Sequence, residues 1–340
     1  MKVGLIGFGV VGQGFAALIS QKAADLSHRY GLEVQIAAVA TRSRGSLYMP
    51  DGLNPESLLT AIKSGSLDTY PDQAGLRRGL SPLALASEGN FDVLIEVSPS
   101  NLKDGQPAIS VIEAALHAGK HVVLANKGAL VYGYESLSKT AVAAGKRLLF
   151  EASVMAGTPS LRLGMQSLAG CAISEARGIV NGTTNFILTQ MGDGLSYADA
   201  LAEAQRLGYA ETDPTADVEG WDAAAKAVIL GAALFGRQFA FDQMQVKGIS
   251  QLTAQDIASA AAAGERWKLI ARVTPEAAAV EPMRLPITHP LANVSGATNA
   301  ITYTTDLMGD ITLVGAGAGA VQTGFGLLSD LMEIHRETGI

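Results

Sequence analysis

Cysteine is almost absent from this sequence: Cys171 stands alone, which excludes an internal disulfide and any cysteine-based zinc cluster. Aromatic residues make up only 6% and charged residues 17%, and no block of like charge occurs in a chain of net charge −7. That balance argues against nucleic acid as a partner. No apolar run reaches the roughly 18 residues that a membrane-spanning helix needs. The five histidines, His28, His117, His121, His289 and His335, are scattered, so no metal triad can be read. His289 precedes Pro290 and reads as structural. No charged leader precedes the first apolar strand, which predicts a cytoplasmic chain. What the sequence does have is 38 glycines, a 48% apolar fraction and 340 residues, enough for two cores.

The first half alternates strand and helix. Short apolar runs at residues 2–7, 34–41, 92–97, 121–124 and 147–151 lack period-2 alternation and suit strands buried on both faces of a parallel sheet. Asn54-Pro55 reads as an N-cap and first-turn proline opening a helix to about Lys63. Helices are predicted at 106–117 and 134–144, ended by Gly119 and Gly145. This rhythm predicts an α/β, Rossmann-like, doubly wound parallel sheet over residues 1–152. After Met155 the pattern changes: a strand at 175–181, helices at 183–190, 196–207 and 220–235, then strands at 267–273, 279–285, 300–304 and 310–314. That predicts a second, α+β domain with an open sheet over 153–317, suited to substrate binding, catalysis and dimerisation. A last helix within about 318–340 is expected to return to the first domain.

Gly7-Phe8-Gly9-Val10-Val11-Gly12 follows the first strand and leads into a helical pattern, the context in which G-x-G-x-x-G signifies dinucleotide binding. Gly7 would permit the turn, Gly9 would let backbone N–H groups approach a pyrophosphate, and Gly12 would let the helix pack on the strand. The alternative is a tight turn with no ligand. At the end of the second strand, where an acidic residue would select NAD, the chain has Thr41-Arg42-Ser43-Arg44. Guanidinium and hydroxyl groups suit a 2′-phosphate, so NADP(H) is expected to be preferred over NAD(H), with Arg42 foremost. A solvated basic turn is the competing reading.

The densest polar stretch is Gly208–Lys226. Asp222 and Lys226 lie four apart and share a face of a helix otherwise rich in Ala, Val, Ile and Leu. They form either a surface ion pair or an ammonium that polarises a substrate carbonyl beside its carboxylate. A calcium loop is disfavoured, because the acid order does not fit and Pro214 interrupts it. Ala125-Asn126-Lys127-Gly128 follows the fourth parallel strand, where ligand crevices form. Lys127 is either an exposed loop lysine or a proton-exchanging group.

Taken together these segments resemble the homoserine dehydrogenase family over nearly the whole chain. The most specific stretch is Gly178-Ile179-Val180-Asn181-Gly182-Thr183-Thr184-Asn185-Phe186-Ile187-Leu188, followed by Gly208–Lys226. The glycine loop, Ala125-Asn126-Lys127, Glu151–Pro159 and His289-Pro290-Leu291-Ala292 support it. The resemblance implies reversible, NADPH-dependent reduction of L-aspartate 4-semialdehyde to L-homoserine, in threonine and methionine biosynthesis. It implies catalytic roles for Lys127, Lys226 and Asp222. Glu211 would hold the substrate amino group, and Tyr209, Asp217, Gly182 and Thr183 would line the amino-acid pocket. The cofactor would meet Gly7, Phe8, Gly9, Val10, Val11, Gly12, Thr41, Arg42, Ser98, Lys127 and Gly317. Glu151, Val154, Ala156 and Thr158 would hold a monovalent cation, Na+ or K+, largely through carbonyls. A homodimer is implied as well.

Departures accompany the match. Gly315-Ala316-Gly317-Ala318-Gly319 stands where the family often has a proline, and Met155 and Thr158 are unusual in the cation loop. No regulatory domain follows, so insensitivity to threonine by that route is expected. Two rivals fit less well. Aspartate semialdehyde dehydrogenase needs a nucleophilic thiolate, whereas Cys171 reads as a small buried residue. A sugar oxidoreductase or a nucleotide sensor leaves the Glu211, Asp222 and Lys226 set unexplained.

Overall fold

Apolar strands of the first half collect into one sheet whose order is β4-β3-β2-β1-β5-β6-β7. The computed structural model describes residues 1–340. In chain order the elements are β1 (Lys2–Ile6), α1 (Val10–Tyr30), β2 (Gln35–Ala40), β3 (Ser46–Tyr48), α2 (Pro55–Lys63), β4 (Arg77–Arg78), α3 (Pro82–Glu88), β5 (Val93–Glu96), α4 (Ala108–His117), β6 (His121–Leu124), α5 (Lys127–Ala143) and β7 (Leu148–Leu149). Strands β2, β1, β5, β6 and β7 run parallel. Their residues are nearly all buried because helices cover both faces. The order in which strands are added reverses at β1, which is paired to β2 on one side and β5 on the other. The carboxyl ends of β1 and β5 therefore frame a topological switch point, where open α/β sheets bind ligands.

Two details depart from the sequence reading. The sheet is not purely parallel, since β3 pairs antiparallel with β2 and β4 antiparallel with β3. The cause is local: Gly45 takes φ 87° and Thr41 Oγ1 donates to its carbonyl, so the chain turns back instead of crossing over. Helix α5 begins at Lys127, not at Tyr134. Asn126 caps it by accepting from Ala129 N at 3.2 Å, placing Lys127 in a helical first turn.

The second compact unit covers Thr158–Ala318, while Met1–Gly157 and Gly319–Ile340 form the first. Its elements are α6 (Ser160–Arg162), β8 (Ile173–Ile179), α7 (Gly182–Gly192), α8 (Tyr197–Arg206), α9 (Thr215–Val218), α10 (Trp221–Phe235), β9 (Gln245–Val246), α11 (Ala254–Ala262), β10 (Glu265–Val273), β11 (Ala278–Pro286), β12 (Thr298–Thr305) and β13 (Gly309–Ala316). They build a six-stranded sheet of order β13-β12-β8-β10-β11-β9, antiparallel except for β9 on β11. Helices α7 and α10 pack against it. Asn181 caps α7 through Thr184 N, so the end of β8 is pinned to the start of the helix. His289 is structural in the same sense: its Nδ1 accepts from Leu291 N at 3.1 Å. Cys171 is half-buried, not buried, because it follows a turn at Gly170.

Helix α12 (Ala320–Thr338) closes the first unit by packing on α1. Phe15, Leu327, Leu331 and Ile334 are all fully enclosed in that core. Close approach requires glycine on both helices. A Cβ at Gly324 would lie 2.9 Å from Phe15 N, and one at Gly14 would strike the Ala320 carbonyl. No helix is long and apolar enough to cross a membrane. Gly324→Val is expected to lower stability by about 1–3 kcal/mol, the usual cost of overpacking a contact that cannot yield. Urea unfolding measures this, and an unchanged midpoint would show that the helices have room to part.

Candidate active site

Each glycine of the loop after β1 meets a different constraint. Gly7 takes φ 102°, and a Cβ there would lie 2.5 Å from the Val97 carbonyl carbon. Gly12 would bring a Cβ to 2.7 Å from the Gly7 carbonyl oxygen. Gly9 has nothing within 4 Å of where its Cβ would be, so its backbone borders open space. Beyond it Val10, first residue of α1, is 71% exposed despite its apolar side chain. Phe8 is buried, and Val11 is partly buried. An open, glycine-lined turn at the amino end of a 21-residue helix gives backbone N–H groups and a positive helix end to an anionic ligand. A separate cavity of about 540 Å³, lined by Met1, Lys2, Glu33, Gln35 and Asp51, opens at the amino ends of β1 and β2, the wrong end of the sheet for this chemistry.

At the end of β2, Thr41 spends its hydroxyl on the turn: it donates to the Gly45 carbonyl at 2.9 Å and accepts from Arg44 N at 2.8 Å. Arg42, Ser43 and Arg44 are exposed on that turn. At the end of β5 lies a polar cluster. Glu96 is fully buried, and its Oε1 accepts from Ser98 N at 2.9 Å, from Ser98 Oγ and from Asn126 Nδ2 at 3.3 Å. Its Oε2 has no partner. Burial pushes the Glu96 carboxyl up to about 7, against the pull of the Ser98 and Asn126 hydrogen bonds. Lys127 is anchored next to this cluster, its N–H donating to Ser100 Oγ at 2.9 Å.

The second unit gathers a different set. Lys226 is buried, and its Nζ donates to Asp222 Oδ2 and to the Val180 carbonyl, both at 2.6 Å. Asn181 Nδ2 bridges Asp222 Oδ2 at 3.0 Å and Asp217 Oδ1 at 2.6 Å. Burial, and then repulsion from Asp222, raise the Asp217 carboxyl above its ordinary range. Thr183 Oγ1 donates to the Tyr209 carbonyl at 2.6 Å, tying α7 to the loop before α9. The Tyr209 ring lies 4.9 Å from that of Phe186 and is 47% exposed. The helical spacing of Asp222 and Lys226 thus brings them together as a largely enclosed pair, with side chains only 17% and 10% exposed.

This arrangement joins Lys226, Asp222, Asp217, Thr183 and Tyr209 with Gly182, which opens α7. Glu211 is exposed on the loop between α8 and α9, with its carbonyl held by Gln205 Nε2 at 3.1 Å. A second buried lysine, Lys268, is held by Asn185 Oδ1 at 2.9 Å and the Val294 carbonyl at 2.6 Å; burial lowers it to about 8. Gly317 lies against Asn299, where no Cβ would fit. Asn299 is fully buried, and neither amide atom has a partner. Asn181, Asn299 and Glu96 were given no role by the sequence reading. Asn181 carried a signal, a capping residue between an apolar strand and a helix; a strand asparagine and a strand-end glutamate carry none.

Around the expected cation loop, no cluster of three His, Cys, Asp or Glu residues could hold a metal ion. Any ion there would rely on carbonyls. Met155 and Ala156 take left-handed backbone in succession, with φ 58° and 53°, which bends the segment tightly. Within the first unit, buried Glu151 donates its N–H to Asp330 Oδ2 at 3.0 Å, and Val154 N donates to the Glu151 carbonyl at 3.3 Å. Within the second, Thr158 Oγ1 donates to the Ala316 carbonyl at 2.9 Å.

Comparison with known proteins agrees in both halves. Residues 7–151 match the family model "Homoserine dehydrogenase, NAD binding domain", and residues 159–332 match "Homoserine dehydrogenase". A NAD(+)-dependent homoserine dehydrogenase of Pseudomonas canavaninivorans is 41% identical, over 98% of this chain and 96% of that protein. The solved homoserine dehydrogenase of Thiobacillus denitrificans superposes with a TM-score of 0.83 at 33% identity, over 99% of this chain and 73% of that one. A hyperthermophilic archaeal homoserine dehydrogenase mutant in complex with NADPH superposes with a TM-score of 0.84 at 28% identity, over 99% and 98%.

The enclosed ion pair makes a stability test available. Asp222→Ala strands an ammonium and is expected to cost on the order of 3 kcal/mol. Adding Lys226→Met should restore much of that loss in denaturant unfolding. A double variant no more stable than Asp222→Ala would show that the pair is not energetically coupled.

Proposed function

The chain belongs to the homoserine dehydrogenase family of NAD(P)-dependent oxidoreductases acting on a CH–OH group, and from that premise we propose which residues carry the reaction and which cofactor they favour. The reaction interconverts L-aspartate 4-semialdehyde and L-homoserine. One observation supports the assignment of its centre. An ammonium has three donors, and Lys226 commits its Nζ to Asp222 and to Val180. One N–H is left for a substrate oxygen.

When bound, the nicotinamide supplies hydride to the aldehyde carbon, or accepts it in reverse. Lys226 donates to the carbonyl oxygen as negative charge grows there, in a site already shielded from water. Asp222 fixes the lysine, and Asn181 holds Asp222 and Asp217 apart at a set spacing. Glu211 orients the substrate through its ammonium, with Gly182, Thr183, Tyr209 and Asp217 lining the pocket. Lys127 exchanges the proton with the oxygen, directly or through a water. Because Lys226 is already engaged by a carboxylate, it serves as a fixed charge and Lys127 as the acid–base.

NADPH is the preferred cofactor in this reading. Two exposed guanidiniums, Arg42 and Arg44, follow the end of β2, and the Thr41–Arg44 stretch itself carries no carboxylate, although Asp68 packs against Gly45 just beyond it. One relative is described as NAD(+)-dependent and another is solved in complex with NADPH, so the preference proposed here rests on this chain's own residues. A monovalent cation held by carbonyls of the 151–158 segment, and a homodimer formed through the second unit, complete the proposal.

Lys226→Ala is expected to lower turnover by roughly 100-fold or more, about 3 kcal/mol of transition-state stabilisation, with homoserine oxidation followed at the nicotinamide absorbance. Near-normal turnover would remove the role. In the same assay Arg42→Ala should raise the KM for NADP+ while leaving that for NAD+ nearly unchanged; equal effects on both would mean that Arg42 does not read the 2′-phosphate.

A further inference from the structure

The mechanism above leaves one buried titratable group unused. Glu96 is the last residue of β5, fully enclosed at the switch point, one strand from the glycine loop. Gly7 packs so tightly on Val97 and Ser98 that no Cβ fits between them. The Glu96 carboxyl gathers the wall of this crevice. Its Oε1 takes the Ser98 N–H and hydroxyl together with the Asn126 amide. That amide also reaches the Ser98 carbonyl at 3.2 Å, and Asn126 Oδ1 caps α5, whose first residue is Lys127. We propose that Glu96 is a positioning residue whose neutral carboxyl holds Ser98, Asn126 and the start of α5 in the dinucleotide-binding geometry, so that ionisation of Glu96 weakens dinucleotide binding.

The Ser98 and Asn126 hydrogen bonds favour a charge on this group, but complete burial outweighs them. The titratable residues of the elements packed on β5 are Lys2 on β1, His121 on β6, and Glu113 and His117 on α4, with Lys127 opening α5. Lys2 and His121 sit at the other end of the sheet, their backbone N–H groups bonded to Asp92. Burial, not a charged neighbour, sets the Glu96 carboxyl and raises it to about 7. With Oε2 unpartnered, a full charge on the carboxyl would be stabilised through Oε1 alone. A bound dinucleotide adds phosphate charge at the adjoining loop and removes water, both of which disfavour the carboxylate.

The sign of the pH effect follows. Because the carboxyl is raised in the free protein and further raised in the complex, binding takes up a proton above pH 7. The Kd is level below about pH 7 and rises above it, by at most tenfold per pH unit. This rests on the reading that the crevice beside the glycine loop takes the dinucleotide. The experiment uses the full chain and NADPH, with Kd followed by the enhanced fluorescence of the reduced ring from pH 6.5 to 8.5. The Kd of the unaltered protein should rise about tenfold over that range. Glu96→Gln, which keeps an acceptor and a donor without the charge, should vary less than about twofold. Glu96→Ala, which removes the acceptor, should bind more weakly at every pH. Calorimetry in two buffers of different ionisation enthalpy gives the proton uptake directly, and the difference between the unaltered protein and Glu96→Gln cancels titration of the 2′-phosphate. A level profile in the unaltered protein, or a Glu96→Gln profile parallel to it, overturns the proposal. Failure of the unaltered protein to bind either NADPH or NADH would instead overturn the crevice reading.

Discussion

A lysine ammonium removed from water must be held, and the way Lys226 is held organises the second unit. Its partners come from two elements: Asp222 one helical turn earlier, and the carbonyl of Val180 at the end of β8. A buried ion pair is a weak source of stability, because desolvation offsets most of the attraction. Its value here is directional. The bond to Val180 fixes α10 against the end of β8, and Asn181, the next residue, caps α7 while bridging Asp222 to Asp217. One charge thus sets the mutual placement of a strand end and two helices. The run of alanines around it, Ala223, Ala224, Ala225 and Ala227, is buried and lets α10 approach the sheet closely enough for the lysine to reach the carbonyl just past β8.

The first unit solves a different problem, bringing backbone instead of side chains to the ligand. Glycine is used where a Cβ would meet peptide atoms: Gly7 against Val97, and Gly12 against the loop itself. Helix α12, supplied by the end of the chain, covers α1 and completes the same core. The two units therefore differ in what their interiors tolerate. In the first, added volume is the danger; in the second, an uncompensated charge is.

Much of this was legible because the governing patterns are local. Gly7, Gly9 and Gly12 sit at fixed offsets after an apolar strand, and Asp222 and Lys226 sit four apart on an apolar helix. Each pattern has one geometric solution. Elements set by tertiary pairing were less legible. Strand β3 forms because Thr41 and Gly45 close a turn, and β4 is only two residues long. The start of α5 was misplaced because Lys127-Gly128 weighs against a helix locally, whereas the Asn126 cap outweighs it. Glu96 and Asn299 were invisible for a deeper reason. Their importance lies in which atoms lack partners once the chain is folded, and no one-dimensional pattern encodes that.

The left-handed pair at Met155 and Ala156 has a consequence for redesign. Glycine at position 155 would relieve a backbone penalty of about 1–2 kcal/mol. It would also widen the conformational freedom of the unfolded chain, by about 0.4–1 kcal/mol, and expose what a fully enclosed methionine side chain now covers, a loss of about 1.5–3 kcal/mol. Together the losses, about 2–4 kcal/mol, outweigh the relief, so the balance lies with methionine. Position 155 is therefore occupied for the thioether's reach into the interior, and a variant library screened for heat resistance should return long, flexible apolar residues there in preference to the residue that the dihedral angle alone would select.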